Sequence, residues 1–343
     1  MRILFLLPSL SNTGPINVAL ELCKQIYDKQ DIYVYAFSSG DNRAVFDFYA
    51  KEVVVCDESF CKKVYYFFQY IKNNNFDIIH SHCFFPDLLN SLCSKNVKRI
   101  TTIHNFFDVD YVYTYGILKG KILSLLHRYV VSNIPVVISC SQSVSEYNSI
   151  NYGINSHFVR NGVKSGKELI TSSSHINLVF VGVLNKRKNP EVFINGFRFS
   201  YLPNSTLHII GAGPLYEELK RKYSSDNIIF YGHLDEPREV LKKMDVFVSS
   251  SLAEGLPMAL LESLSECTTY IISDIAPHRE INNLSTSSGF VIKNDIDSFS
   301  EAIKNLEYKD INILKSEARK LYVTYLSSHE MGVGYMRIYS NLD

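Results

Sequence analysis

Residues 245–266 read DVFVSSSLAEGLPMALLESLSE, and this stretch indicates how the chain folds. The run VFV near its start combines β-branched and aromatic residues, as buried strands do. Pro257 suits the first position of a helix, because the N–H group that proline lacks has no partner there in any case. We therefore predict a strand, a loop that carries Glu254 and Gly255, and a helix that begins at Pro257.

Runs of the same kind alternate with helical patterns along the whole chain, as in βα units that form parallel sheets. The predicted strands are RILFLL, IYVYAF, EVVVC, FDIIHSH, RITTIH and PVVISC, followed by INLVFVGV, TLHIIG, NIIFYG, DVFVSS, TYIIS and GFVI. Between the two sets, the polar stretch KSGKELITSSSH at 164–175 is interpreted as a linker. The sequence thus predicts an α/β protein with two Rossmann-like domains, 1–165 and 172–325, that face each other across a cleft.

The composition is that of a globular protein with about two domains. Of the 343 residues, 46% are hydrophobic and 20% are charged. Lys plus Arg and Asp plus Glu both number 35, so the net charge does not favour nucleic-acid binding. Seven cysteines without a CxxC pair indicate a reducing compartment, and we expect a cytoplasmic protein. No run approaches the roughly 20 apolar residues of a membrane-spanning helix, so any membrane contact is expected to be peripheral.

In open α/β sheets, ligands bind at the carboxyl ends of the strands. Residues that closely follow a predicted strand are therefore candidates for a binding site, and a cleft between two such domains would bring both sets together. The residues selected in this way are Gly14, His82, His104, Lys188, Gly211 and Glu254.

Glu254 and Glu262 are eight positions apart around the start of the predicted helix. At the helical rise, this spacing separates the two carboxylates by about 10 Å. The carboxylate pairs of glycoside hydrolases are roughly 5 to 9.5 Å apart across a single bond. The two glutamates are therefore expected to contact different parts of one long ligand, such as a nucleotide-sugar. The alternative is an ordinary loop acid at Glu254 and a solvated helix residue at Glu262.

The segment EGLPMALLE resembles the E-x7-E motif of retaining GT-B glycosyltransferases of the family-four type. Further matches follow the order of that family along the whole chain, and they include SLSNTGPINVALEL, FDIIHSH, TTIHN, VRNGV, LVFVGVLNKRKNPEVFINGF and LHIIGAGPLYEELK. The resemblance implies a GT-B fold and catalysis without a metal cofactor. It also implies that a C-terminal helix, about 326–343, packs back on the first domain.

The resemblance also implies roles for individual residues. Glu254 would contact the transferred sugar and Glu262 the ribose. His104 would lie at the transferred sugar, near the acceptor hydroxyl. Gly14 would let the backbone approach the diphosphate closely. The backbone amides expected at the sugar and phosphates belong to Gly255, Leu256, Met258 and Ala259.

The main departure from the family lies in the segment GVLNKRK at 182–188, where the family pattern is G-R-L-x-x-x-K. Lys188 fills the lysine position and is expected to neutralise the leaving diphosphate. Val183 stands where the family has an arginine. Either Lys186 or Arg187 could compensate, and the alternative is that this basic run is only a solvated helix start.

Two groups of residues resemble metal sites, but we expect no metal at either. His80, His82 and Cys83 end a predicted strand, and we expect this strand to set His80 and His82 on opposite faces. One histidine should then be buried, and the site should not close. Asp108 and Asp110 mimic an Asp-x-Asp motif that glycosyltransferases of this type do not use for a metal.

The segment YGILKGKILSLLHRYVV at 115–131 has the pattern of an amphipathic helix. Lys119, Lys121, His127 and Arg128 are expected on a basic face beside an apolar one, as in helices that lie on membranes. A surface helix that packs on the sheet is an equally good interpretation.

The sequence thus predicts a retaining, metal-independent glycosyltransferase without a cofactor. The donor is expected to be a nucleotide-sugar, with UDP favoured over GDP. The acceptor is expected to be a lipid-linked saccharide in capsule or O-antigen synthesis, which leaves peripheral contact with the inner face of the plasma membrane open. Two alternatives are a GT-B nucleotide-sugar epimerase and a non-catalytic protein that binds sugar nucleotides.

Overall fold

The computed structural model describes residues 1–166 and 175–342. The chain divides into two compact units, Met1–Gly162 with Ser328–Asp343 and Val163–Ser327. Most of the predicted linker at 164–175, and the start of the predicted second domain at 172, lie outside the described residues.

The first unit contains, among its described residues, a parallel sheet of seven strands in the order β3-β2-β1-β4-β5-β6-β7. The strands are β1 Arg2–Leu7, β2 Asp31–Ala36, β3 Glu52–Val55, β4 Ile78–His82, β5 Lys98–Ile103, β6 Val136–Ser139 and β7 His157–Phe158. The helices are α1 Gly14–Ile26, α2 Arg43–Tyr49, α3 Phe60–Asn73, α4 Phe84–Ser91, α5 Phe107–Tyr115, α6 Ile117–Val131 and α7 Gln142–Tyr152.

The second unit contains, where it is described, a parallel sheet of six strands in the order β10-β9-β8-β11-β12-β13. The strands are β8 Ile176–Val181, β9 Ser205–Ile210, β10 Ile228–Gly232, β11 Val246–Ser249, β12 Thr269–Ser273 and β13 Gly289–Ile292. The helices are α8 Pro190–Ser200, α9 Tyr216–Tyr223, α10 Pro237–Leu241, α11 Met258–Ser265, α12 Ala276–Leu284, α13 Ile296–Lys304 and α14 Ile311–Tyr325, with a 3₁₀ turn at Asn305–Tyr308.

In each sheet, the strands are added first on one side of the unit's first strand and then on the other, which creates a switch point. It lies between β1 and β4 in the first sheet and between β8 and β11 in the second. Loops at such a point are a usual place for a ligand in an open α/β sheet. The sheets hold these loops firmly because their strands are buried: Ile3 to Leu7 of β1 are 0% exposed. The prediction of an α/β chain with two Rossmann-like domains is confirmed.

The structure differs from the predicted boundaries by a few residues. The units divide between Gly162 and Val163 rather than at 165, because Val163 pairs with Ser327 and its carbonyl accepts a hydrogen bond from Tyr322. Helix α11 begins at Met258, since Pro257 has the extended dihedral angles of an N-cap (φ −73°, ψ 103°).

The C-terminal helix α15, Ser328–Ser340, belongs to the first unit and packs on α1. Gln25 of α1 donates a hydrogen bond to the Ser328 hydroxyl at 3.1 Å, and Tyr335 and Tyr339 are buried. Within residues 1–166 and 175–342, none of the helices has the length and apolar composition that crossing a membrane requires.

Candidate functional site

Glu254 lies in the loop between β11 and α11 of the second unit, where it is buried and paired with two cations. Lys188 Nζ forms an ion pair with Glu254 Oε1, and Arg187 Nη1 lies 3.2 Å from Glu254 Oε2. Burial alone would raise the pKa of this carboxyl, but Lys188 and Arg187 outweigh burial and hold the pKa at about 2. Glu254 is therefore an ionised hydrogen-bond acceptor at neutral pH.

The loop between β8 and α8 supplies both cations, and it is joined to the Glu254 loop through the backbone. The N–H of Leu252 donates to the Arg187 carbonyl at 2.8 Å, and the Ser250 hydroxyl donates to the Asn189 carbonyl at 2.6 Å. Arg187 also donates to the Ala253 carbonyl at 2.7 Å. Of the two residues considered as substitutes for the arginine missing at Val183, Arg187 joins this cluster, whereas Lys186 is exposed.

The turn that ends β9 explains how the cation loop is positioned. A Cβ at Gly211 would overlap the Gly182 carbonyl oxygen, and a Cβ at Gly213 would lie 2.6 Å from the Leu184 carbonyl oxygen. The two turns pack backbone to backbone, with the Leu184 N–H donating to the Ala212 carbonyl at 2.9 Å. These glycines therefore serve the packing of the loop that carries Lys188.

The first turn of α11 follows Glu254 directly. Met258 and Ala259 are its first residues, and the N–H groups of a first turn have no partner within their own helix. Together with the helix dipole, they can bind an anionic group. Gly255 and Leu256 are buried before the helix, and Glu262 is half-buried on it.

His278 is a buried residue beside this cluster that the sequence analysis missed. Its Nδ1 donates to the Ser273 carbonyl at 2.7 Å, which leaves Nε2 as an acceptor with no partner among the described residues. Burial lowers the pKa of His278 to about 4, although the nearby Glu254 raises it. The strand-end rule, if applied to β12, would have selected it, since α12 begins soon after that strand.

Gly14 begins α1 in the first unit, next to the N-cap residue Thr13. A Cβ added at Gly14 would meet no atom within 4 Å. Packing within the unit therefore does not require glycine here, in contrast to Gly211.

His104 follows β5 in the first unit and is half-buried. Its Nε2 lies 2.8 Å from Nδ1 of the fully buried His82, whose own Nε2 has no partner among the described residues. Behind them, His80 contacts the Tyr339 hydroxyl at 2.6 Å and the Thr102 hydroxyl at 2.8 Å. Burial lowers the pKa of His80 and of His104 to about 3 and also lowers that of His82. All three rings are therefore neutral at neutral pH.

The structure corrects the argument that set His80 and His82 on opposite faces of their strand. Residues two apart share a face, and the two rings lie 4.5 Å apart. Both are buried, and the described residues contain no group of three or more His, Cys, Asp or Glu side chains arranged to hold a metal ion.

A pocket of about 100 Å³ opens beside His104, and Pro15, Asp110, Tyr111 and His127 also line it. His127 Nε2 donates to Asp87 at 2.8 Å, and the Tyr111 hydroxyl lies 2.8 Å from His127 Nδ1. The buried Asp87 also accepts hydrogen bonds from Ser81 at 2.6 Å and from Thr101 at 2.7 Å. This network fixes the wall of the pocket.

The prediction that His127 belongs to the exposed basic face of its helix was wrong. His127 is buried because it points to the inner side of α6, toward Asp87. Its helical position was clear from the sequence, but its partner lies 40 residues away, and no local pattern indicates that contact.

Family models match both halves of the chain, residues 17–166 as glycosyltransferase family 4 and residues 175–307 as glycosyl transferases group 1. The O-antigen biosynthesis glycosyltransferase WclY of Escherichia coli is 25% identical over an alignment of 366 positions, gaps included. The alignment covers all of this chain and 99% of that protein. A second E. coli protein, UDP-Gal:alpha-D-GlcNAc-diphosphoundecaprenol alpha-1,3-galactosyltransferase, is 33% identical over 170 residues, or 46% of this chain and 44% of that one.

Among solved structures, Anabaena Alr3699/HepE in complex with UDP superimposes with a TM-score of 0.81 over all of both chains. At 16% identity, that likeness shows the fold alone. Together with the two family matches, it confirms the resemblance drawn from the motifs. The chain belongs to the glycosyltransferases of the family-four type, which have the GT-B fold.

Proposed function

We propose that this glycosyltransferase transfers a hexose-type sugar from a UDP-sugar to a lipid-linked saccharide. The transfer retains the anomeric configuration, needs no metal ion, and is a cytoplasmic step in the synthesis of a surface polysaccharide. The observation that carries the proposal is the cluster of Lys188, Arg187 and Glu254 before the first turn of α11. Its charges and dipole suit a diphosphate that leaves from a sugar.

The charge balance of the cluster supports diphosphate binding. Two cations face one carboxylate, so a positive charge is left over, and the N-terminus of α11 adds its dipole. Groups that are already in place where negative charge develops stabilise a transition state strongly. Lys188 and Arg187 can do this for the departing phosphate, which is the role that a metal ion has in other transferases.

The state of Glu254 supports its role at the transferred sugar. An ionised carboxylate accepts hydrogen bonds from sugar hydroxyls but cannot supply a proton. Since Lys188 and Arg187 hold it, Glu254 is also a poor nucleophile. We therefore propose attack by the acceptor on the same face of the sugar, where the leaving phosphate takes the proton.

His104 is proposed to bind the sugar rather than to remove a proton. Burial lowers its pKa to about 3, so it is a weak base at neutral pH. His104, Asp110 and Tyr111 line the pocket, and their side chains can form hydrogen bonds with the hydroxyls of a saccharide.

The names of the relatives support a UDP-sugar donor, a lipid-linked acceptor and retention. Alr3699/HepE was solved with UDP, and the E. coli galactosyltransferase takes UDP-Gal and a diphosphoundecaprenol-linked acceptor and forms an alpha linkage, as its name states. Common UDP-hexoses carry an alpha-linked sugar, so an alpha product corresponds to retention. WclY is named for O-antigen biosynthesis, which supports the same kind of pathway here.

A donor panel tests the proposal. Purified protein is incubated with UDP- and GDP-sugars, with or without a GlcNAc-diphospholipid of short chain, and free nucleotide and product anomer are measured. Transfer predicts release of UDP that depends on the acceptor and an alpha product. Conversion of the sugar without acceptor would indicate an epimerase. Binding of donor without either reaction across a broad acceptor set would indicate a binding protein.

A further inference from the structure

The outer face of α6 carries a stripe of exposed large apolar side chains. Leu118, Ile122, Leu125 and Tyr129 are 76, 53, 61 and 72% exposed. Their spacing of four, three and four residues places them in one row along the helix. We call these four residues the α6 stripe.

The inner face of α6 fixes the direction of the stripe. A Cβ at Gly120 would lie 2.6 Å from the Tyr111 carbonyl oxygen. The backbones of α5 and α6 are therefore too close at this point for any side chain between them. His127, on the same inner side, is tied to Asp87 at 2.8 Å. The helix therefore cannot turn its apolar row inward without breaking these contacts.

Single exposed apolar residues are ordinary on a protein surface, but a contiguous row indicates a binding surface. Ile117 and Leu126 on α6 are also exposed, at 69 and 48%, as are Tyr113 and Tyr115 on α5. Aromatic residues of this kind are enriched where proteins meet the boundary between lipid and water.

The charges of α6 select the partner. The helix contains no Asp or Glu, and Lys119 and Lys121 are exposed beside the stripe. A second copy of the chain that docked through the same face would bring these lysines toward their own copies, which is unfavourable. A membrane with anionic lipids would attract the lysines and take up the apolar row.

We propose that the α6 stripe, with Lys119 and Lys121, is a docking surface for an anionic lipid membrane. Tyr111 of α5 and His127 of α6 line the pocket beside His104, so the pocket and the stripe lie on opposite sides of the same helix. Docking would hold a lipid-linked acceptor close to that pocket, and this second step rests on the proposed function. The docking itself does not.

Vesicle binding by the full chain tests the surface. Vesicles of phosphatidylglycerol and phosphatidylethanolamine are compared with phosphatidylcholine vesicles by co-sedimentation. Leu118→Gln with Leu125→Gln should weaken binding by about tenfold or more, because two exposed apolar side chains no longer enter the lipid. The matched control is Phe48→Gln with Ile150→Gln, which changes two side chains that are 74 and 82% exposed elsewhere in the same unit. Circular dichroism verifies the fold of each variant.

Variants of the two lysines distinguish binding to anionic lipid from non-specific adsorption to vesicles. Lys119→Gln with Lys121→Gln should weaken binding to the anionic vesicles by about fivefold per lysine and leave the weak binding to phosphatidylcholine unchanged. High salt should remove the difference.

Three results would overturn the proposal: wild-type protein that does not bind the anionic vesicles, stripe variants that bind them as wild type does, and a stripe that instead holds two copies together. Light scattering detects the last of these as a loss of dimer in the stripe variant.

Measurements of turnover test the docking surface and the proposed function separately. With a water-soluble acceptor the stripe variant should match wild type, and with acceptor in vesicles it should be slower. Vesicle binding without any transfer would refute the function and leave the surface standing.

Discussion

The regions around Glu254 and around His104 differ in their charge. In the second unit, a buried carboxylate and two cations lie at a helix N-terminus and leave a net positive charge. In the first unit, three adjacent histidines are held neutral by burial, and the pocket beside them is lined by groups that donate or accept hydrogen bonds. One region is suited to a diphosphate and the other to sugar hydroxyls.

If the proposed function holds, this difference divides the work of transfer between the two regions. Departure of a nucleoside diphosphate develops negative charge, which needs fixed positive groups. Recognition of the hydroxyl groups of an acceptor sugar needs hydrogen bonds, and an unpaired charge beside them would cost desolvation energy without a counter-charge on the sugar.

The largest effect is expected from Lys188→Ala. Loss of one preorganised group that stabilises developing charge typically lowers turnover by about 10² to 10³. Glu254 would keep its ion pair with Arg187 but lose the one with Lys188. Steady-state kinetics with a saturating UDP-sugar would measure kcat, and Lys186→Ala, which removes an exposed cation two residues away, is the control.

The missing family arginine offers a check on this assignment. Val183 is 53% exposed, so Val183→Arg should fold, and it should restore part of the activity of Lys188→Ala. Full turnover in Lys188→Ala together with a large loss in Arg187→Ala would show that Arg187 is the main phosphate group.

The second prediction concerns stability and pH. His80 and His104 have a pKa of about 3 in the folded state, against about 6.5 in an unfolded chain. The unfolded chain therefore binds more protons between these values, so the free energy of unfolding falls as pH falls. From pH 7 to pH 5 the loss should be about 2 kcal/mol per histidine. Glu254, with a pKa of about 2, should contribute almost nothing in that window.

Urea unfolding at the two pH values measures this loss. His80→Gln keeps groups that can pair with Thr102 and Tyr339, and it should reduce the loss by about 2 kcal/mol. His329→Gln changes an exposed histidine in the same unit and should not reduce it. An equal pH dependence in both variants would contradict the neutral state of the buried cluster.

The order of the elements could be predicted from the sequence because strands and helices have local periods. The pairing of Lys188 with Glu254 joins residues 66 positions apart, and the sequence indicated only that each follows a strand. The contact between Asp87 and His127 was missed for the same reason. His278 was missed because its environment, and not its type, makes it unusual. Sequence patterns thus indicate which residues approach a site, whereas charge pairing and burial depend on packing between distant segments.

A smaller effect is expected from Glu262→Ala. If Glu262 binds the ribose, as the family resemblance implies, its loss removes hydrogen bonds worth about 0.5 to 3 kcal/mol, the upper values applying to a charged acceptor. The KM for the donor should rise while kcat stays close to wild type, whereas Glu254→Ala should lower kcat. Isothermal titration with UDP separates the two, since only the Glu262 variant should bind UDP more weakly. Unchanged UDP binding in that variant would return Glu262 to an ordinary helix residue.

The smallest effect is expected from removal of metal ions. If Lys188, Arg187 and the first turn of α11 neutralise the diphosphate, EDTA in excess should leave turnover unchanged. The assay is UDP release after dialysis against EDTA, with Mg²⁺ or Mn²⁺ added back in parallel. A loss that either ion restores would mean that the cations of the second unit do not suffice. The variant Asp110→Asn would then locate the metal, because it would abolish the restored activity if the Asp108 and Asp110 pair binds the ion. In that case the cation cluster of the second unit would not be the only group that neutralises the diphosphate, and the proposed division between the two regions would fail.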